Sequence, residues 1–233
     1  MLFRSALVSG SPLARISPDT TRSRITDVND GIMAVAGMSL GLAGAEVSRT
    51  TAYAVITISA VVGALSVFGA ELGEGFAQRE AELATVAEEQ RLLELEPEEE
   101  IEELVEWFEA KGVSTETSRK VAEELSDADA LSAQLEIEYG IRELTSTRDA
   151  WAEGFSAGIG FLIGALAPVA IAYLIPFGWR EEWTIIAAIT SLIVTSFVLA
   201  STGGSNIGKT VARSVIMGAG TLAASHFLGD WLI

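Results

Sequence analysis

The sequence predicts an all-α membrane protein: five transmembrane helices, with a cytoplasmic glutamate-rich helical domain inserted between helices 2 and 3. Three observations carry that prediction. Apolar runs lie at about 31–47, 52–70, 154–176, 184–200 and 211–233, each near the length at which a helix crosses a hydrocarbon core of about 30 Å. An 80-residue block, Glu74 to Glu153, holds 24 of the 32 Asp and Glu residues and only seven of the 15 Lys and Arg, so it nets −17, the net charge of the whole chain. Hydrophobic content is nevertheless 49%, so charge and apolarity are separated along the chain. A hydrophobic protein that puts its surplus charge into one insert presents carboxylates to something cationic: metal ions, protons or the salt of a halophilic cytoplasm.

Residues 1–27 carry Arg4, Arg15, Arg22 and Arg24 among Ser, Pro and Thr. The apolar patch at 5–9 is too short for a signal-peptide core, so this segment reads as a disordered cytoplasmic tail. Residues 28–73 hold transmembrane helices 1 and 2. Asp30 opens the first, between Asn29 and Gly31. An ionisable group at that depth faces a bundle interior or a watery path, or else it caps the helix N-terminus. Met33 and Gly37 share its helical face, which offers a carboxylate and a thioether to one ion. In helix 2, small residues at 63, 66 and 70 make a face for close helix approach. Glu71 and Glu74 follow, three apart. Such a pair binds a divalent cation, shares a proton, or simply lies in water.

Residues 74–150 form the acidic helical domain. A charged continuation of helix 2 ends near Pro97. A helix from Glu98 to Ala110 has Ile101, Leu104, Val105 and Phe108 on its apolar stripe, and Gly112 stops it. The next helix is capped by Ser114 or Thr115, and a last one is expected from about Asp127 to Leu144. Glu100 and Glu103 share a face beside Glu96, Glu99 and Glu106, while Glu136 and Glu138 sit on the last helix. Hard divalent cations take several carboxylate oxygens, and clustered Glu on facing helices supplies them. Three Lys against 12 Arg in an acidic chain also fit a salt-adapted surface. Most of these carboxylates therefore solvate the domain, and a minority bind.

Residues 151–233 hold transmembrane helices 3–5. Gly158, Gly160, Gly164 and Pro168, then Gly218 and Gly220, fit close helix packing. Trp151, Trp179, Trp183 and Trp231 stand at helix ends as interfacial anchors. An inside N-terminus puts 13 of the 15 Lys and Arg on the cytoplasmic side. Leaving out the long acidic block, the count is still six inside against two outside, and the orientation follows from the positive-inside rule.

Absent residues exclude other chemistries. There is no cysteine and one histidine, His226, so thiolate sites, disulfides and His-rich cages are ruled out. Any metal site is built from oxygen ligands, helped at most by methionine. No nucleophile–base pairing, phosphate loop or cofactor fingerprint is present, so an enzyme is not expected, and no nucleic-acid partner is expected either.

The order of these features resembles the vacuolar iron transporter family over roughly residues 25–233. The residues that carry the resemblance are Asn29-Asp30-Gly31, Gly63-Ala64-Leu65-Ser66, Glu100-Ile101-Glu102-Glu103-Leu104 before Gly112, and Gly164-Ala165-Leu166-Ala167-Pro168, similar to the family's Gly-x-x-x-Pro. The resemblance implies a homodimer that exports cytosolic Fe²⁺, or a similar ion, in exchange for protons, and the cell membrane is the expected location. By it, Asp30 matches the translocation-path aspartate. Glu100, Glu103 and Glu138 match the metal-domain glutamates, with Glu89 on the first domain helix. The chain departs from the family at Val67, where the path methionine is missing, at Ser59, where a glutamate is missing, and at Gln134 and Leu135, which replace a methionine pair. Loss of soft ligands points to a harder site that takes Mn²⁺ alongside Fe²⁺, with Met33, Glu71 and Glu74 as candidates to compensate. The rival expectations are a membrane-anchored metal sensor or storage protein that does not transport, and an insert that is only halophilic decoration.

Overall fold

The computed structural model describes residues 18–232, and among them it contains seven α-helices and no strand. They are α1 (Pro18–Gly44), α2 (Arg49–Leu95), α3 (Pro97–Ala110), α4 (Thr115–Ile137), α5 (Thr147–Leu174), α6 (Arg180–Gly203) and α7 (Ile207–Leu232), with one 3₁₀ turn, Phe177–Trp179, before α6. The chain divides into two compact units, residues 18–70 with 154–232, and residues 71–153. Helix α2 is unbroken from one unit into the other.

The N-terminal segment expected to be coil lies outside the described residues up to 17, and from Pro18 it is helix. A proline at the first helical position needs no partner for its missing N–H, and the helix runs straight on through Asp27 and Asp30.

In the first unit, α2, α5, α6 and α7 are long and apolar enough to cross a membrane. Helix α1 is not among these four, because Asp27, Asn29, Asp30 and four glycines dilute its hydropathy. Its position explains why it needs less. Ile32, Val35, Ala36 and Leu40 are buried, packed into clusters with residues of α2, α5, α6 and α7. Most outward apolar residues belong to the helices around it, such as Ile58, Val62 and Leu65 of α2 and Ile159, Ile163 and Leu166 of α5, and α1 itself keeps Met38 exposed.

Contacts fix the helix directions. Helices α2 and α5 are antiparallel, since Tyr53 stacks on Tyr173 while Phe68 meets Phe155. Helices α1 and α7 are parallel, with Gly37 beside Ser225 and Gly41 beside Gly229. Helix α6 opposes both: Thr195 donates to Asn29 Oδ1, and Ala188 clusters with Ala36 and Leu40. Two of the crossings leave no room for a side chain. A Cβ at Gly229 would overlap the Gly41 carbonyl oxygen, and one at Gly164 would overlap that of Val28, the close approach that small residues permit. Pro168 is buried within α5, which continues through it.

In the second unit, Leu104, Val105 and Ala122 form the core with Ile101, Ala133 and Ile137 against it. Helix α3 stops as its sequence predicts. Gly112 takes φ +91°, and the Val113 N–H returns to the Phe108 carbonyl, a left-handed close that favours glycine. The last helix of the domain differs from the expected Asp127–Leu144. Asp129 breaks α4 with φ −165° and ψ 87°, then restarts it by accepting from the Ser132 N–H and hydroxyl at 3.1 and 2.9 Å. The restarted helix ends at Ile137, because Gly140 turns left-handed and the Ile141 N–H reaches back to Leu135 O. Residues 138–146 then run as a connection. Glu82 holds that connection, accepting from the Thr145 N–H at 2.6 Å and the Thr145 hydroxyl at 2.9 Å. Ser146 and Asp149 cap α5 reciprocally, each accepting from the other's N–H at 3.1 Å, a capping box.

Candidate metal site

In the acidic unit, four of the sequence-predicted glutamates come together. Glu89 is supplied by α2, Glu100 and Glu103 by one face of α3, and Glu138 by the end of α4. Burial marks two of the four, Glu89 at 1% exposed and Glu100 at 3%, while Glu103 and Glu138 are exposed beside them. The carboxyls of Glu89 and Glu100 stand close enough to interact strongly, and two such groups in a buried site favour a proton on one of them.

The electrostatics follow from that crowding. Burial, the adjacent Glu89 carboxyl and the charges of Glu89 and Glu96 push Glu100 up to about 7. Glu89 is raised by burial and by Glu138 and Glu103, against the lowering effect of Glu100 and Tyr139 beside it. Glu103 is raised by burial and by Glu100, Glu106 and Glu99. Glu138 is raised by burial and then by Glu103, with Tyr139 working the other way. Carboxylates facing one another in a poorly solvated site hold protons near neutral pH, and a divalent cation that accepts oxygens from several of them competes for the same lone pairs. Glu89 Oε1 is buried with no hydrogen-bond partner, the kind of polar atom that an ion satisfies. Among the described residues, no three Asp, Glu or His side chains already stand in metal-holding geometry, so an ion would draw these carboxyls inward as it displaced the proton.

Two members of this cluster were missed in the sequence. Gln134, read there only as a lost methionine, is 2% exposed, and its amide nitrogen donates to both Glu100 O and Glu100 Oε2, the latter at 3.1 Å. A carbonyl oxygen only accepts, so the amide orientation is fixed. Tyr139 stands beside Glu138 and Glu89, and burial and their charges push its phenol up to about 12. A polar residue buried against a carboxylate leaves no periodicity signal, and adjacency to Glu138 was the only clue for Tyr139.

In the membrane unit, Asp30 is exposed on an outward stripe of α1 with Ala34 and Met38. Met33 does not join it. Its thioether packs in the cluster of Ile32, Ala36, Leu40, Ala188 and Leu222, beside Gly218. The thioether on Asp30's side of the helix is Met38, two turns along. Three residues before Asp30 lies Asp27, which the sequence reading passed over. It is 5% exposed, 3.7 Å from Arg24 Nη1, and lies where a Cβ on Gly160 would press. Glu71 and Glu74 stand one turn apart on α2 at the start of the acidic unit, Glu71 half-buried and Glu74 exposed.

Comparison with known proteins bears on both units. The sequence model of the VIT family matches residues 21–230. The vacuolar iron transporter of Acanthamoeba castellanii is 28% identical over 223 residues, covering 90% of this chain and 80% of the relative.

Proposed function

The chain belongs to the VIT family, which makes it a metal-ion transporter of the membrane, and from that premise we propose that it moves Fe²⁺, and Mn²⁺ alongside it, out of the cytosol in exchange for protons. The observation that carries this reading is the near-complete burial of Glu89 and Glu100 with Glu89 Oε1 left unpartnered, and with Glu103 and Glu138 close enough to raise the proton affinity of Glu89. A cluster that holds protons near pH 7 exchanges them for a divalent cation within the physiological range. The acidic unit collects ions on the cytoplasmic side and Asp30 passes them through the membrane. The remaining carboxylates, such as the exposed Glu88 and Glu102, solvate the surface.

In this reading α1 is the fifth crossing. The alternation of helix directions supports it, because α1, α5 and α7 run one way and α2 and α6 the other. The protein acts as a homodimer in the cell membrane, with its N-terminus and acidic unit in the cytoplasm. An ionisable Asp30 on the outside of a bundle is costly against lipid, and a second copy of α1 laid on the stripe of Asp30, Ala34 and Met38 supplies the shielded path. Met38 takes the thioether role first looked for in Met33. Glu71 and Glu74 act as a relay by spacing alone.

Flux into proteoliposomes, measured for Fe²⁺, Mn²⁺, Zn²⁺ and Ca²⁺ with and without a pH gradient, tests the proposal. Uptake of Fe²⁺ and Mn²⁺ accelerated by an opposing proton gradient is expected. Metal binding with no flux for any ion favours the sensor or storage reading instead.

A further inference from the structure

The end of the membrane unit away from Asp30 carries polar residues that the transport path above leaves unused. A cavity of about 420 Å³ opens there, lined by Ser39, Glu46, Ile56, Ala172, Arg180 and Glu181 among others. Glu46 sits in the turn between α1 and α2 at φ +48°, the one non-glycine residue with positive φ among the described residues. Strain of that kind persists where the surrounding structure demands a particular placement. Glu181, on the first turn of α6, reaches from the cavity wall toward α7, where its Oε2 lies 3.9 Å from Nδ1 of His226. That nitrogen is buried and has no hydrogen-bond partner, although both side chains are about half exposed.

The distance is informative. At 3.9 Å the two atoms are too far apart for a hydrogen bond. Two ligand atoms each about 2.1 Å from one ion stand up to roughly 4.2 Å apart, so imidazole and carboxylate here span a single cation with little movement. The backbone holds them there. A Cβ at Gly44 would overlap the His226 carbonyl oxygen, so α7 is seated directly on the end of α1. Arg180, the neighbouring cation, is drawn to the side: its Nε donates to Ile175 O, its Nη2 to the Tyr53 hydroxyl, and its guanidinium lies 4.9 Å from the Tyr53 ring centre.

Against the sequence expectation of oxygen and methionine ligands alone, we infer that Glu181 and His226 form a second divalent-cation site, at the end of the membrane unit away from Asp30, from which the ion leaves through the adjoining cavity. Two protein ligands with water in the remaining positions hold an ion weakly, and the charge of Arg180 weakens them further, which suits a site of release. The imidazole makes it a site for Fe²⁺, Mn²⁺ or Zn²⁺ in preference to Ca²⁺ or Mg²⁺. The direction of movement rests on the transport reading above, while the ligation does not.

The test exploits the fact that His226 is the only histidine in the chain. Full-length protein, purified on a histidine-free tag and loaded with Mn²⁺, is examined by electron spin echo modulation, which detects nitrogen bound to the metal. Imidazole modulation is expected in the parent protein, and it is expected to vanish in His226→Gln. Glu181→Gln is expected to weaken the nitrogen-coupled Mn²⁺ population about tenfold or more. Matched size-exclusion profiles show that both variants are folded. No nitrogen modulation at saturating Mn²⁺, or modulation that survives in His226→Gln, overturns the site and leaves Glu181 and His226 as a simple ion pair. Flux without nitrogen coupling sinks this inference alone, whereas nitrogen coupling without flux sinks the transport reading and leaves the site standing.

Discussion

Glu89 and Glu100 are almost wholly buried in a unit whose other carboxylates mostly face water, whereas Asp30 is exposed on a bundle whose other outward residues are mostly apolar. Each is the exception in its own surroundings. Inside the acidic unit, burial and like charges raise proton affinity, and in the proposed function these glutamates exchange a proton for an ion. On the membrane unit, Asp30 has no such enclosure among the described residues, and in the proposed function a second copy supplies it. Total negative charge therefore says little about where metal is handled. The informative carboxylates are the ones placed at odds with their neighbours.

The sharpest way to break this comparison is Asp30→Asn. The amide keeps the size and removes the charge, so flux in proteoliposomes should fall to that of empty vesicles, while Mn²⁺ binding to the acidic unit persists. Full flux in a folded variant would sink the path assigned to Asp30. Next in size is Gly229→Ala, which attacks the wrapping of α1. Its Cβ would meet the Gly41 backbone oxygen, which cannot turn aside as a side chain would. Overpacking of this kind costs about 1–3 kcal/mol, read as a lower melting temperature in detergent, with metal affinity of the acidic unit unchanged.

The helical architecture was legible because it rests on periodicity, apolar run length and turn residues. The stripe of Ile101, Leu104 and Val105 and the stop at Gly112 needed nothing beyond the sequence. The end of α4 was not legible, because Asp129 and Gly140 act through φ values and hydrogen bonds that a run of charged residues conceals. Glu89, Glu100, Glu103 and Glu138 were nominated through a family resemblance, since spacing alone did not distinguish them from the other acidic residues. Gln134 and Asp27 escaped because their importance lies in what they are buried against. Met33 was misplaced beside Asp30 because a shared helical face spans a wide arc, and α7 covers the part of it that holds Met33.

A titration separates the buried glutamates from the solvated ones. Glu100 keeps its proton in the folded chain up to about 7, but gives it up above about 4–5 when unfolded. Between those values the folded state binds more protons, so stability from this group falls as pH rises through about 7. Metal-free protein should therefore lose melting temperature between about pH 5 and 7.5, and Glu100→Gln should flatten that slope. In the parent protein, Mn²⁺ affinity should rise across the same interval as the proton leaves. An unchanged slope in Glu100→Gln would show that the proton is held elsewhere.

The smallest effect is expected from an acidic residue of the same unit that lacks burial. Glu102 lies one residue from Glu103 on α3 and pairs with Arg119 of α4, both side chains about half exposed. Water and salt screen such a pair, and its two long side chains lose freedom in forming it, so exposed pairs contribute about 0–1 kcal/mol. Glu102→Gln should thus shift the melting temperature barely above error, and the shift should shrink further in high salt. Mn²⁺ affinity should stay within about twofold of the parent, which corresponds to less than about 0.5 kcal/mol. A large loss of affinity would mean that the outer carboxylates take part in binding, and that burial does not select the metal-handling glutamates of this unit.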